Sequence, residues 1–411
     1  MLPFATRLPM AALPEPPMPA VLTDPERPVT AENVATEATC LSRVLSGGEL
    51  VEDIIAAWDR TQQAIELGDK AALRSLHVQA KRHDRDIDRA SLRRDLAKYA
   101  RFFPEPSSID PKRIEPELVE VGAHRSLEGQ LFRLLRSYWS MPFSKGYGRR
   151  LRFLVMDKHH EAVIGLIGLQ SPSADLKCRD QYLGARKADK LAVVNTTLDA
   201  YTVGASPTYA PLIGGKLVAG FIHSEKVRQL YWRKYASAQT EIEDRRLPQP
   251  LLAVTTTSAF GRSSIYNRLR IGNHLLAKPL GFTRGFGTVH LEGLYPHIVA
   301  WLKDHGKHVP AGFGHGPKVR WQNVINALAA LGIPRTYLEH GLEREVFIFE
   351  FASNLDRVHR LGELPEMLTF DDQAWVDHWK ERWCLKRVAS RPDWNQFNAR
   401  SKLEAGLDQF S

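Results

Sequence analysis

The segment Leu251–Arg270, LLAVTTTSAFGRSSIYNRLR, sets several hydrogen-bond donors close together. An apolar run, Leu251–Val254, leads into Thr255, Thr256, Thr257 and Ser258. A Gly-Arg-Ser-Ser turn follows at Gly261–Ser264, and then Tyr266, Asn267, Arg268 and Arg270. A buried strand that opens onto hydroxyls, a glycine and cations presents donors to a phosphate or another anion. The plain alternative is a strand-to-helix connection with Ser and Thr as helix caps. Thr257, Ser258, Arg262, Ser263, Ser264, Asn267 and Arg268 are therefore candidate nucleic-acid contacts. Tyr266, Asn267 and Arg268 combine an aromatic face, an amide and a cation, a set that can stack on a base and hydrogen-bond it. Tyr266 is also a candidate catalytic phenol. A serine nucleophile would need a histidine base such as His274 or His290, but no nucleophile elbow is present.

Other groups could carry chemistry. Arg149, Arg150 and Arg152 follow Gly146 and Gly148 and precede an apolar stretch. Arginine suits bidentate phosphate contacts, and Arg150 and Arg152 share one side of a strand. The alternative is an ordinary set of surface arginines. Asp199 and Tyr201, two apart in LDAYTVG, are candidates for an acid/base pair. Arg179-Asp180 reads first as a structural ion pair. His159-His160-Glu161 and the loosely spaced His305, His308 and His315 fit solvated loops better than a metal centre. No Walker A lysine motif, H-E-x-x-H or C-x-x-C occurs, so the usual ATPase and zinc-hydrolase residues are missing. No metal site is assigned, and the residues name no cofactor.

The charge distribution points to a partner. The 411-residue chain carries a net +9, yet Lys145–Arg320 alone holds 26 Lys and Arg against 12 Asp and Glu, leaving the remainder net acidic. A basic middle suits a polyanion, and nucleic acid, DNA first, is the leading candidate partner. Hydrophobic residues at 43% and charged residues at 25% are ordinary globular composition. Cys40, Cys178 and Cys384 are far apart, which fits a reduced cytoplasmic setting without a disulfide framework. No apolar run approaches the roughly 18 residues that span a bilayer, so no membrane partner is expected.

The elements that must position these groups fall into four stretches. Residues 1–35 are proline-rich, carry one early cation, Arg7, and are expected to be a disordered tail. Residues 36–142 are expected to form a helical N-terminal domain, with helices around 50–67, Lys70–His83, Ser91–Phe102 and Glu128–Trp139. Residues 143–355 are expected to be an α/β core with a mixed sheet. Its strand candidates are Arg152–Met156, Ala162–Leu169, Leu191–Asn195, Ala200–Val203, Leu251–Thr255, Thr288–Leu291 and Glu345–Phe351. Helical spacing covers Leu212–Tyr235, Leu294–Asp304 and Val319–Leu331. Residues 356–411 are expected to be a helical tail in which Trp375, Trp379 and Trp383 form one packing face.

Several blocks resemble a bacterial family, the DruA type, named for the first protein of the Druantia anti-phage system. They are SMPFSKGYGRRLRFLV, IGLIGLQSPSADLKCRDQYLG, LDAYTVGASPTYAPLIGGKLVAGFIHSEKVRQLY, TTTSAFGRSSIYNRLR and LGFTRGFGTVHL, in this order. The resemblance covers roughly residues 45–355 and departs near Lys177–Arg186. It implies a role in defence against phage beside a large helicase-like partner. A second resemblance is to the order of the GNAT acetyltransferase fold, through the 152–169 hairpin, the 212–235 turn and helix, and the 251–282 segment. It implies that Gly214, Gly215 and Lys216 cradle a cofactor pyrophosphate, although the usual Gln/Arg-x-x-Gly-x-Gly/Ala turn is absent. Two functions follow: a nucleic-acid-binding component of a defence system, or a transferase that modifies a nucleobase or another substrate. A third possibility is a scaffold that docks its partner through the tryptophan face.

Overall fold

The computed structural model describes residues 43–82, 89–139, 148–184, 190–238, 249–310 and 317–408. The expected tail at 1–35, Cys40, Gly146 and His315 lie outside them.

Seven strands form one sheet: β1 (Pro116–Glu120), β2 (Arg150–Asp157), β3 (Ala162–Gln170), β4 (Thr197–Ala205), β5 (Ala253–Thr257), β8 (Lys278–Phe282) and β9 (Glu345–Glu350). Their order is β1-β2-β3-β4-β5-β9-β8, and a separate ribbon pairs β6 (Arg270–Ile271) with β7 (His274–Leu275). All neighbours are antiparallel except β4 and β5, so the sheet is mixed, as expected. The parallel pair is joined only from Thr197–Asp199 to Ala253–Thr255. Just beyond, the Thr256 hydroxyl donates to the Ala200 carbonyl at 3.0 Å. A parallel pair needs a long crossover, and α7 (Gly214–Gly220) and α8 (Glu225–Tyr235) supply it.

The crossover covers the front of the sheet. Phe347, Phe349 and Phe351 alternate inward from β9 and meet Leu217, Val218 and Phe221. Trp375 and Trp379 of α12 (Asp372–Trp379) complete this core. Each indole N–H donates to a carbonyl of the α7 region, Trp375 to Leu217 (2.9 Å) and Trp379 to Ile213 (3.2 Å). Gly220 is obligatory here, because a Cβ would stand 2.1 Å from the Trp375 ring. The tryptophan stripe is thus a packing face, and the two buried indoles cannot serve as a docking surface for a partner.

The back is covered in two halves. Helices α3 (Arg89–Lys98), α4 (Leu127–Ser137) and α14 (Ala399–Asp408) close over Leu154, Val163 and Leu166. Helices α5 (Lys177–Tyr182), α6 (Lys190–Thr196) and α11 (Leu355–Leu361) close over Ala253 and Ile348. Beside the sheet, α1 (Gly47–Glu66), α9 (Tyr295–Asp304) and α10 (Pro317–Ala330) share a separate core of Leu50, Ile54, Ile298, Leu302 and Leu328. Helix α1 starts at a capping box, with the Ser46 N–H donating to Glu49 at 2.9 Å and the Glu49 N–H to Ser46 Oγ at 3.3 Å. Helix α2 (Lys70–Arg82) packs back on α1.

Three expectations about elements are corrected. Leu191–Asn195 lies in helix α6, where Thr196 and Thr197 donate to the Ala192 and Val193 carbonyls and close its end. The valines suggested a strand, but burial of Val193 and hydroxyl back-bonding decide for a helix. Thr288–Leu291 is not a strand either, since Val289–Leu294 is a 3₁₀ turn leading into α9. Within 36–142 the chain is not wholly helical, because β1 pairs along its length with β2.

Candidate functional site

Four polar residues stand in one row across the back of the sheet. Arg150 of β2 pairs with Gln170 of β3, Gln170 with Asp199 of β4, and Asp199 with Thr255 of β5. Side chains alternate along a strand, and the neighbours Leu169, Leu198 and Val254 point to the front core, so this row faces the back. It lies where the α4 half of the back cover meets the α5 half. Thr255 donates to the Asp199 carboxylate at 3.1 Å. Burial pushes the Asp199 carboxyl up to about 6, against the Thr255 hydrogen bond and the nearby charges of Arg344 and Arg179. A carboxyl held there can hold or release a proton near neutral pH. The Gln170 Oε1 is buried without a hydrogen-bond partner among the described residues.

Tyr201 completes the row by a local irregularity. Gly168 pairs with Thr202 and Leu169 with Ala200, which leaves Tyr201 as the extra residue of a β-bulge. Its ring lies over Gly168, where a Cβ would be 2.4 Å from the ring and 2.6 Å from the hydroxyl. The Arg136 guanidinium stands 5.1 Å from the ring centre and that of Arg150 5.9 Å. The phenol oxygen is buried without a hydrogen-bond partner among the described residues. Asp199 and Tyr201 thus share the face that the sequence implied. Alternation along β4 puts both on one face, and the bulge sets the phenol over Gly168.

A second group gathers where β9 begins. Arg344 bridges to Gly261 on one side, and its carbonyl accepts from the Thr283 N–H on the other (2.9 Å). The loops carrying Arg262 and Arg284 therefore flank it. The Arg344 guanidinium makes no hydrogen bond or ion pair among the described residues, and burial lowers its pKa. Ser258 fixes this junction by donating to the Gly261 carbonyl and accepting from the Glu345 N–H at 2.9 Å. Arg262, Arg268, Arg270 and Arg284 are exposed and make no ion pair among the described residues. Phe282 and Phe286 are exposed beside Arg284.

The remaining candidates are placed as follows. Arg149 is turned inward, with its guanidinium donating to the carbonyls of Val194 and Asn195 (2.6 Å for Asn195) and to the Tyr231 hydroxyl. Arg152 donates to the Gly122 carbonyl at 3.1 Å. Thr257 ends β5, half-buried, opposite Val346. Ser263 Oγ accepts from the Ile265 and Tyr266 N–H groups (3.2 and 3.4 Å), so it caps a turn, while Ser264 and Asn267 are exposed. Arg268 takes a left-handed backbone conformation, φ 55°. Tyr266 does not offer its ring to a base. It is buried against Phe347 and Phe349, beside the Thr256 hydroxyl, and burial pushes its phenol up to about 12. Gly214 backs onto Tyr209, and Ile265 covers Gly215. Lys216 donates to the carbonyls of Ile265 (3.1 Å) and Asn267 (2.6 Å), and burial brings its pKa down to about 8. Arg179 is fully buried and binds Asp180 and the carbonyls of Ser173 and Ala174, as an ion pair with a structural role does. His160 pairs with Asp157 at 2.7 Å.

Three residues of this region escaped sequence reasoning: Gln170, Arg344 and Arg284. Gln170 ends an apolar run and resembles a strand terminus, and only the cross-strand register brings it beside Asp199. Arg344 precedes the legible strand EVFIFEF, and its position was available without its significance.

Residues 68–360 match the family described as Druantia protein DruA. The chain belongs to the DruA family. A protein named Druantia protein DruA from Escherichia coli (strain UMEA 4076-1) is 32% identical over 342 residues, which cover 82% of this chain and 84% of that protein. No solved structure matches. The family match contains all nine strands and both the polar row and Arg344, whereas Trp375 and Trp379, which complete the front core, lie beyond it. No helix of the described residues is long and apolar enough to cross a membrane.

Proposed function

We propose that this DruA-family chain is a nucleic-acid-binding component of a bacterial anti-phage defence system, acting with a helicase-like partner. Family membership supports the defence role. The observation that carries the nucleic-acid role is a set of exposed arginines, Arg262, Arg268, Arg270 and Arg284, without acidic partners among the described residues. Lys226, Arg233 and Lys278 meet carboxylates, whereas Arg262 and Arg284 lie on the two loops that flank Arg344. Cations left open next to exposed Phe282 and Phe286 suit a phosphate backbone with unstacked bases. Of the first arginine group, Arg149 has a structural role, and Arg150 and Arg152 belong to the Asp199 face.

The test is DNA affinity against salt, using labelled single and double strands. Log affinity should fall steeply with log salt, and alanine at Arg262, Arg268, Arg270 or Arg284 should each reduce the slope by about 1. A flat salt response overturns the proposal.

A second reading, a transferase acting on a nucleobase or another substrate, is favoured by one observation. Asp199, with its carboxyl raised to about 6, and the unpartnered Tyr201 hydroxyl share the sheet face where β4 and β5 part. The order of hairpin, strand, Gly-Gly-Lys turn, helix and strand also follows the acetyltransferase resemblance. Against a cofactor at Gly214–Lys216 stands the cover of that turn by Ile265 and Trp379. Calorimetry with acyl-coenzyme A separates the two: a heat of binding supports the transferase, and its absence removes the coenzyme.

A further inference from the structure

A cavity of about 200 Å³ opens on the front of the sheet, away from the Asp199 row. Its walls are aromatic. The His223 ring stacks on Phe370 at 5.5 Å and 27°, and Phe351 meets it edge-on at 5.5 Å. His223 is only 5% exposed, and its Nε2 lies 3.0 Å from the Leu276 carbonyl. A carbonyl can only accept, so Nε2 carries the proton. Burial holds the ring neutral, with its pKa down at about 4. Nδ1 is then an acceptor, and it has no hydrogen-bond partner among the described residues. The rim adds Thr369 and the Asp371 carboxylate, which also caps α12 through the N–H groups of Gln373 and Ala374. His274 of the β6–β7 ribbon closes the other side, and the same ribbon carries the exposed Arg270.

We propose that this cavity receives a single amine-bearing nucleobase turned out of a nucleic-acid strand. The proposal rests on the nucleic-acid reading above and adds a site to it. Size limits the occupant, since pockets for whole drug-sized ligands run from roughly 300 to 1,000 Å³. Flat aromatic walls select a planar ring. The unpartnered Nδ1 and the Asp371 carboxylate are acceptors, so they select a ring that brings hydrogen-bond donors. Ile271 and His274, paired across the β6–β7 ribbon, line one wall, so the ribbon that carries the exposed Arg270 also borders the cavity.

The experiment has two arms, both with the full chain. In the first, free cytidine, 2-aminopurine riboside and uridine are titrated and followed by saturation-transfer NMR. The two amine-bearing nucleosides should bind at least about tenfold more tightly than uridine, because the two N–H groups of an exocyclic amine can meet both acceptors, whereas uridine brings the single N3–H donor. Ala374→Trp, at an exposed lining position, should abolish that binding without lowering the thermal midpoint. Failure of both amine-bearing nucleosides to bind, or binding indifferent to Ala374→Trp, overturns the proposal. In the second arm, a labelled single strand containing 2-aminopurine is followed by anisotropy and by base emission. Binding with a change in emission that Ala374→Trp removes supports the site, and binding with unchanged emission at every base position overturns it. A strand that fails to bind while the nucleosides bind as expected supports the cavity and removes the nucleic-acid reading alone.

Discussion

The two faces of one sheet follow different rules. The front is closed by Phe347, Phe349, Phe351, Trp375 and Trp379, and its two indoles both find carbonyls. The back carries Arg150, Gln170, Asp199 and Thr255 across four strands, with a phenol and an amide oxygen left unsatisfied. Burying a polar group without a partner costs about 1–3 kcal/mol, so a row of this kind works against stability. A fold can carry such a row where the aromatic core on the opposite face offsets its cost. In this molecule the Asp199 row and the main aromatic core lie on opposite sides of the same strands.

Truncation on the front should produce the largest effect. Trp375→Ala should cost about 3–5 kcal/mol in urea unfolding, since it opens a cavity beneath α7 and removes the indole hydrogen bond to the Leu217 carbonyl. Gln170→Leu on the back should be neutral or stabilising in the same assay. Equal losses at both positions would erase the contrast.

Next in size is the pH response of Asp199. In the unfolded chain an aspartate ionises near 3.9, whereas in the fold Asp199 ionises at about 6. Between those values the folded protein keeps a proton that the unfolded chain has released. Its ionisation therefore lowers stability as pH rises through that window, by about 2–3 kcal/mol in all. Asp199→Asn lacks this loss. Its stability relative to the parent should climb from pH 4 to pH 6 and then level off, as unfolding curves at each pH would show. A flat difference would mean that water reaches the carboxylate.

Two tyrosines give a smaller test. Tyr209 donates to Asp157 at 2.8 Å within the buried front, so Tyr209→Phe should cost about 1–2 kcal/mol. Tyr201 on the back has no such partner, so Tyr201→Phe should be neutral or stabilising, by up to about 1–3 kcal/mol. If Tyr201 transfers a proton, the same change should still abolish activity, so stability and activity would part at this residue alone. The smallest effect is expected at Thr257→Val, half-buried at the end of β5, which should shift stability by no more than about 0.5 kcal/mol.

The long strands were legible because their residues alternate or run apolar between turns. RFLVM, AVIGLIGL and EVFIFE all lie in strands. β1 was not, since PELVE is short, charged at two of five positions, and held by pairing with β2 rather than by its own propensity. Of the site, the Asp199–Tyr201 pair could be read from spacing, but its neighbours could not. Gln170 and Thr255 join it only through cross-strand register, which no local pattern encodes. Tyr266 misled because a tyrosine in a basic, polar loop reads as exposed, and only the fold turns its ring under Phe347. The arginines misled in part for a similar reason, since chain proximity placed Arg149 with Arg150 while the Val194 and Asn195 carbonyls drew it inward.

The indoles that close the front core come from residues 375 and 379, more than a hundred positions after the α7 carbonyls they bind. During synthesis the sheet and the α7–α8 crossover emerge first, and the apolar surface that Trp375 and Trp379 cover stays open until that late segment leaves the ribosome. A chain that ends before Trp375 would leave that apolar surface exposed.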